Sequence, residues 1–242
     1  MNKAYPVIIF GASSGYGAGI AARLKAAGFT VIGCSRSYAE HADIWHDCDV
    51  TKPHEIAAVA KQYPIVSAVV YSAGIAIEKT PVAYKENDVD WQRVFDVNTL
   101  GILHVAREFY MALKTGAGTF IHIGSIANRI QYPGGVDYCA SKAAASSILR
   151  GLRLEWLGLP IRVTSIEPGL GNTNFQYNRY SGNIEKAVLH TQGIKQLEPA
   201  DLARVVEFIL ELPGHVNIDT IEVKPLDQAD HGKLSTNAQT QF

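Results

Sequence analysis

Apolar strand-like runs and helix-patterned stretches alternate from one end of this chain to the other, and that alternation constrains the fold more than any other feature. Val7–Phe10 is a short apolar run that ends at a glycine loop, and a helical pattern through Ile20, Ala21, Leu24 and Ala27 stops at Gly28. Further strands are expected at Thr30–Cys34, Ile44–Val50, Ala68–Tyr71, Thr119–Ile123, Arg162–Ile166 and Thr220–Val223. Between them the pattern predicts helices over Pro53–Lys61, Trp91–Lys114, Val136–Leu157 and Ala200–Glu211, with a loop over 72–85 and an irregular stretch over 169–193. Strand and helix in strict succession imply right-handed βαβ crossovers, hence a parallel sheet covered by helices on both faces. The expectation is an α/β Rossmann fold, a doubly wound sheet of about seven strands in one domain over residues 1–242. The polar residues from about 226 to 242 read as a loose or interface-forming tail.

The loop after the first strand carries chemistry. Gly11-Ala-Ser13-Ser14-Gly15-Tyr16-Gly17 joins the first strand to the first helix, where glycines permit a tight turn and close approach of the backbone to a pyrophosphate. The spacing Gly-x3-Gly-x-Gly differs from the Gly-x-Gly-x-x-Gly of long-chain dehydrogenases. The second strand ends at Ser35-Arg36-Ser37, where an NAD-binding chain of this fold usually has a carboxylate for the ribose hydroxyls. A guanidinium there matches a 2′-phosphate in charge and geometry, which favours NADP(H), although Arg36 could also be a solvated residue after a strand.

Composition excludes several other classes. Lys plus Arg is 22 and Asp plus Glu 23, with no basic run, so nucleic acid is not expected as a partner. No apolar segment reaches the roughly 18 residues of a membrane span, and the first residues do not read as a signal peptide. Three cysteines without a CxxC pair point to reduced thiols in the cytoplasm, and none of the eight histidines has ligand spacing, so no metal is expected.

Tyr138 and Lys142 stand four apart in a predicted helix, on one face, where an ammonium favours the phenolate. Alone the pair could be surface decoration. Asn98 lies 27 residues before Ser125, and Ser125 lies 13 before Tyr138. Together with the glycine loop, Asp49-Val50, Tyr71-Ser72-Ala73-Gly74, Pro168-Gly169 and Thr173, this order and spacing resembles the short-chain dehydrogenase/reductase family over most of the chain. The resemblance implies hydride transfer between NADP(H) and a carbonyl or alcohol carbon. Tyr138 would be the acid and base, brought into working range by Lys142, which also binds the nicotinamide ribose. Ser125 would donate to the substrate oxygen, and Asn98 would hold a water in a proton relay, unless it is a helix-interior residue bonded to backbone. Asp49-Val50 resembles the pair that packs on adenine, and Leu170 joins Pro168, Gly169 and Thr173 on the cofactor side.

Glu167-Pro-Gly-Leu170, Thr173-x-Phe175, Arg179, Gly182, Lys186-Ala187 and Leu212-Pro-Gly-His-Val-Asn-Ile-Asp219 resemble one subgroup, the NADP-dependent 3-hydroxy acid (serine) dehydrogenases and related semialdehyde reductases. That likeness implies a homotetramer, or a homodimer, with residues 169–195 as a substrate lid. Arg179 on that lid either binds a substrate carboxylate or sulfonate or is an exposed arginine without contacts. Tyr16, Ser72 and Gly171 depart from the family pattern, Tyr16 in a way that would narrow the nicotinamide pocket. Cys139 reads as a packed small residue, and His122 as facing outward from its strand or bonding a neighbour. A broader ketone or secondary-alcohol reductase with an idle Arg179, and a non-catalytic dinucleotide sensor, are the competing functions.

Overall fold

The structure is a computed structural model that describes residues 3–85, 88–189, 193–230 and 233–235. Seven parallel strands form its sheet: β1 (Val7–Phe10), β2 (Val31–Ser35), β3 (Ile44–Asp47), β4 (Ala68–Tyr71), β5 (Thr119–Ile123), β6 (Arg162–Pro168) and β7 (Thr220–Val223). Their order, β3-β2-β1-β4-β5-β6-β7, reverses direction between β1 and β4, the switch point where doubly wound sheets bind ligands at the carboxyl ends of their strands. Alternation within each strand builds two cores. Ile8, Phe10, Ile32, Val69 and Phe120 face helices α2 (Pro53–Ala60), α4 (Gly101–Gly116) and α5 (Val136–Glu155). Val7, Ile9, Val31, Val70 and Ile121 face α1 (Gly15–Ala26) and α8 (Pro199–Glu211). The five inner strands are buried on both faces, as apolar runs such as Val7–Phe10 and Ala68–Tyr71 foretold, while the edge strands β3 and β7 are partly exposed.

Three elements depart from the expected pattern. The long helix expected over 91–114 is α3 (Val89–Phe95) and α4 joined through a π-helical turn, Asp96–Leu100, which contains Asn98. The Tyr71 hydroxyl donates to the carbonyl of Val97 at 2.5 Å, taking up an acceptor at the turn where the α-helical ladder is interrupted. Gly101 lets this happen, since a Cβ there would stand 2.2 Å from the Tyr71 oxygen. The stretch expected to be irregular over 169–193 contains two short helices, α6 (Phe175–Arg179) and α7 (Ile184–Leu189). Asn172 ties it to the start of α8 by donating to Glu198, whose own side chain is half of a capping box with Asp201. The expected tail is not loose where it begins: Gln228 is buried and opens the hairpin of β8 (Gln228–Asp230) and β9 (Lys233–Leu234). Residues 231–232 and 236–242 of that tail, and 190–192 of the expected lid, lie outside the described residues.

Candidate active site

A cavity of about 800 Å³ opens over the carboxyl ends of the strands at the switch point. Its floor at one end is the loop after β1. Gly11 has φ +82°, a left-handed conformation open to glycine at little cost, and a Cβ there would meet the Ala73 amide nitrogen at 2.6 Å. Gly17 is needed for a different reason. It does not line the cavity, but a Cβ on it would stand 2.1 Å from the Gly11 carbonyl oxygen, so its role is to let α1 close onto the loop. Ser13, Ser14, Gly15 and Tyr16 therefore sit at the amino end of α1, where the helix dipole and unpaired amides attract a phosphate. Opposite them, Ser72, Ala73 and Gly74 form the wall after β4.

The far end is built from β2 and β3. Arg36 and Ser37 are exposed at the cavity rim, and Asp49 and Val50 line the adjoining wall. Ser35 lines the cavity too, but its hydroxyl donates to the Ser37 carbonyl at 2.7 Å and meets the Trp45 indole at 3.3 Å, so it shapes the turn. Burial works against the Asp49 carboxylate, yet donors from Thr51 and the charge of Arg36 keep its pKa below the usual value. Arg36 has no carboxylate within ion-pair reach among the described residues and is free to meet an anion at the mouth.

The other end holds the reactive set. Ser125 just beyond β5 and Tyr138 and Lys142 on α5 all line the cavity, and the Ser125 side chain works to lower the Tyr138 pKa. Lys142 Nζ donates to the carbonyl of Ile123 at 3.3 Å and lies 5.9 Å from the centre of the Tyr138 ring. Burial pulls its ammonium down to about 8, with Glu167 opposing. Burial likewise raises the Tyr138 phenol above its ordinary value, and the foremost charge working against that is Arg179, not Lys142 as the sequence suggested. Asn98 is fully buried behind the wall. Its amide donates to the Ile75 carbonyl and the Ser141 hydroxyl and accepts from the Ile75 amide, all at 2.9–3.0 Å, so its side chain holds the loop after β4 against α5. A Cβ on Gly74 would be 3.5 Å from Asn98 Oδ1 and 3.6 Å from Lys142 Nζ, so the three meet.

Pro168, Gly169, Leu170 and Thr173 line the wall after β6. Gln228 reaches back from the tail to accept from the Leu170 amide at 2.7 Å, a wall residue that nothing in its polar surroundings in the sequence announced. Arg179 is not an exposed lid arginine. It is 4% exposed, donates to the Tyr132 hydroxyl at 2.7 Å, and stacks 5.1–5.7 Å from the rings of Tyr138, Phe175 and Tyr132. Among the described residues no carboxylate reaches it, and its Nε is buried without a partner. Cys139 is packed as expected, and of the two readings of His122 the second holds: it is buried and bonds Ser165.

Two departures from the family pattern explain each other. A Cβ on Gly171 would stand 1.8 Å from the Tyr16 hydroxyl and 2.6 Å from its ring carbon, so the large residue on the glycine loop requires a small one on the lid. Gly171→Ala is expected to lower the thermal midpoint by about 2–10 °C, as overpacking of about 1–3 kcal/mol implies, and Tyr16→Leu in the same chain to restore most of it. Additive losses in a double-mutant cycle followed by thermal denaturation would show that the two do not share this space.

Comparison with known proteins agrees with this geometry. The NADP-dependent 3-hydroxy acid dehydrogenase YdfG of Salmonella typhi is 32% identical over 93% of this chain and 97% of its own. Serine 3-dehydrogenase of Agrobacterium fabrum is 31% identical over 93% and 96%. Among solved structures, a closed form of serine dehydrogenase complexed with NADP+ superposes with a TM-score of 0.87 at 31% identity, covering 93% of this chain and 97% of that one. Serine dehydrogenase from Escherichia coli matches with a TM-score of 0.76 at 29% identity, covering 92% and 99%. The short chain dehydrogenase family model matches residues 6–183, and this chain therefore belongs to that family of oxidoreductases.

Proposed function

We propose that the chain is an NADP(H)-dependent dehydrogenase of small 3-hydroxy acids and the oxo acids or semialdehydes they interconvert with. One observation carries the choice of substrate: Arg179 is a buried guanidinium beside Tyr138 with no carboxylate partner among the described residues. A buried charge is costly until it is paired, and a substrate carboxylate or sulfonate would pair it through two parallel N–H donors. The names of the relatives point the same way.

NADP(H) suits the residues present. The glycine cradle closes into shape only because Gly11 and Gly17 lack side chains, its loop and helix terminus would hold a pyrophosphate, and Arg36 with Ser37 would receive a 2′-phosphate. The bound cofactor supplies or accepts the hydride. Tyr138 gives its phenolic proton to the substrate oxygen as negative charge develops there, and recovers it in the reverse direction. Ser125 accepts from the Ala127 amide at 3.2 Å, which orients its oxygen and leaves its own proton for the phenol or the substrate oxygen. Lys142, fixed by the Ile123 carbonyl, lines the cavity 5.9 Å from the centre of the Tyr138 ring and would hold the nicotinamide ribose. Asn98 contributes by holding Ile75 and α5 in place.

Tyr132 and Phe175 pack around the Arg179 guanidinium, so α6 closes this end of the cavity, and the whole is read as one catalytic domain. We infer a homotetramer, or a homodimer, from the subgroup likeness; Leu100, Leu103 and Met111 leave apolar side chains exposed on and beside α4. The cytoplasm suits three unpaired, buried cysteines.

The test is turnover of a 3-hydroxy acid against its methyl ester, with NADP+ and NAD+ compared. Charge-assisted bonds of about 1.5–3 kcal/mol predict an acid-over-ester preference of about 10–100-fold in kcat/KM. Equal rates would leave Arg179 idle and favour a broader ketone or secondary-alcohol reductase. Arg36→Ala is expected to raise KM for NADPH by a similar factor and to leave KM for NADH unchanged; parallel changes in both would remove Arg36 from the 2′-phosphate site.

A further inference from the structure

We infer that Glu167 is a positioning residue of this active site, its carboxylate fixing the Ser125 main chain and balancing the positive charge of Lys142 from behind the wall. Glu167 sits near the end of β6, 1% exposed, and does not line the cavity. Its Oε2 accepts from the Ser125 amide at 2.5 Å and its Oε1 from the Ser165 hydroxyl at 2.6 Å. The Ser165 distance is that of a hydroxyl bonded to an ionised acceptor. The sequence makes room for it: a Cβ on Gly124 would lie 2.1 Å from Oε2, so the residue before Ser125 must be glycine for the carboxylate to reach the amide.

The neighbours settle where the charges are. Ser165 has one proton and gives it to Glu167, so its oxygen must accept from His122 Nδ1–H at 3.1 Å. His122 then carries its proton on Nδ1, and its buried Nε2 is a bare acceptor without a partner. Burial and then the charge of Lys142 keep His122 neutral, well below its ordinary titration range. The titratable groups facing Lys142 are thus neutral His122 from β5, Tyr138 from its own helix, and Glu167 from β6; Arg179 faces Tyr138 from α6. Glu167 is the negative charge in this set. It touches neither substrate nor cofactor, so it acts through Ser125 and Lys142.

The inference rests on the dehydrogenase assignment but not on the carboxylate-bearing substrate, so the experiment uses whichever carbonyl compound the wild type reduces fastest with NADPH. Glu167→Gln keeps the shape and removes the charge. Lys142 and Tyr138 then both lose their protons more readily, because Glu167 favours the protonated form of each. The alkaline limb of kcat, expected near pH 8, should therefore move to lower pH by about one unit, making the variant about tenfold slower above the limb. Thermal denaturation of the apoprotein checks that the variant is folded. A limb that stays in place, with or without a fall in kcat, overturns the inference. Should Glu167→Gln not fold, Glu167→Asp carries the test: it keeps the charge but draws back from the Ser125 amide, so kcat should fall at every pH with the limb unmoved. Wild-type kcat in Glu167→Asp, or a shifted limb, overturns it as well.

Discussion

Replacing Tyr138 with Phe is expected to lower kcat by about 10²–10⁴-fold in both directions while leaving cofactor binding and the thermal midpoint close to those of the wild type. The size follows from losing a positioned proton donor and acceptor at the oxygen where charge develops. The selectivity follows from what Phe keeps. The ring still packs 5.5 Å from Phe175 and still offers its face to the Arg179 guanidinium at 5.1 Å, so neither α5 nor the cage around the arginine should be disturbed. Burial keeps the phenol protonated at neutral pH, which suits it to act as an acid in carbonyl reduction. Steady-state kinetics in both directions, with NADPH affinity measured by fluorescence, check this. Wild-type turnover in the variant would remove Tyr138 from the chemistry and leave proton transfer to another group of the cavity.

The sheet was legible because each of its strands is a local signal. Val7–Phe10 and Ala68–Tyr71 are apolar on both faces, and no other element of similar length tolerates that. The Tyr138–Lys142 pair was legible because a helix fixes the geometry of residues four apart. What escaped was set by distant backbone. Nothing near Tyr71 announces that its hydroxyl reaches the Val97 carbonyl, so the π turn around Asn98 read as plain helix. Gln228 stands in a polar stretch, and only the fold brings it to the Leu170 amide. Glu167 was seen as part of a motif, but its role depends on Ser125 lying just beyond the end of the neighbouring strand. The tuning charge was misread for the same reason. Lys142 is close to Tyr138 in sequence, whereas the foremost opposing cation, Arg179, comes from 41 residues further along.

Arg179→Met should separate substrate recognition from chemistry more sharply than any other single change. Met fills much of the aromatic cage, and removing a buried charge that lacks a carboxylate partner costs little or even stabilises, so the fold should hold. For a 3-hydroxy acid, KM should rise about 10–100-fold, the loss of charge-assisted bonds worth about 1.5–3 kcal/mol. For the methyl ester KM should change little, so the acid-over-ester preference collapses. A second effect has the opposite dependence on reaction direction. Arg179 is the foremost charge lowering the Tyr138 pKa, so its removal leaves burial less opposed and pushes the phenol higher. Oxidation needs Tyr138 as a base, so its rate profile should move to higher pH. Reduction needs it as an acid and should be spared. Rate profiles in both directions, with acid and ester, read the two effects independently. An unchanged acid-over-ester ratio would remove Arg179 from the substrate site, and an unmoved oxidative profile would remove it as the tuning charge of Tyr138.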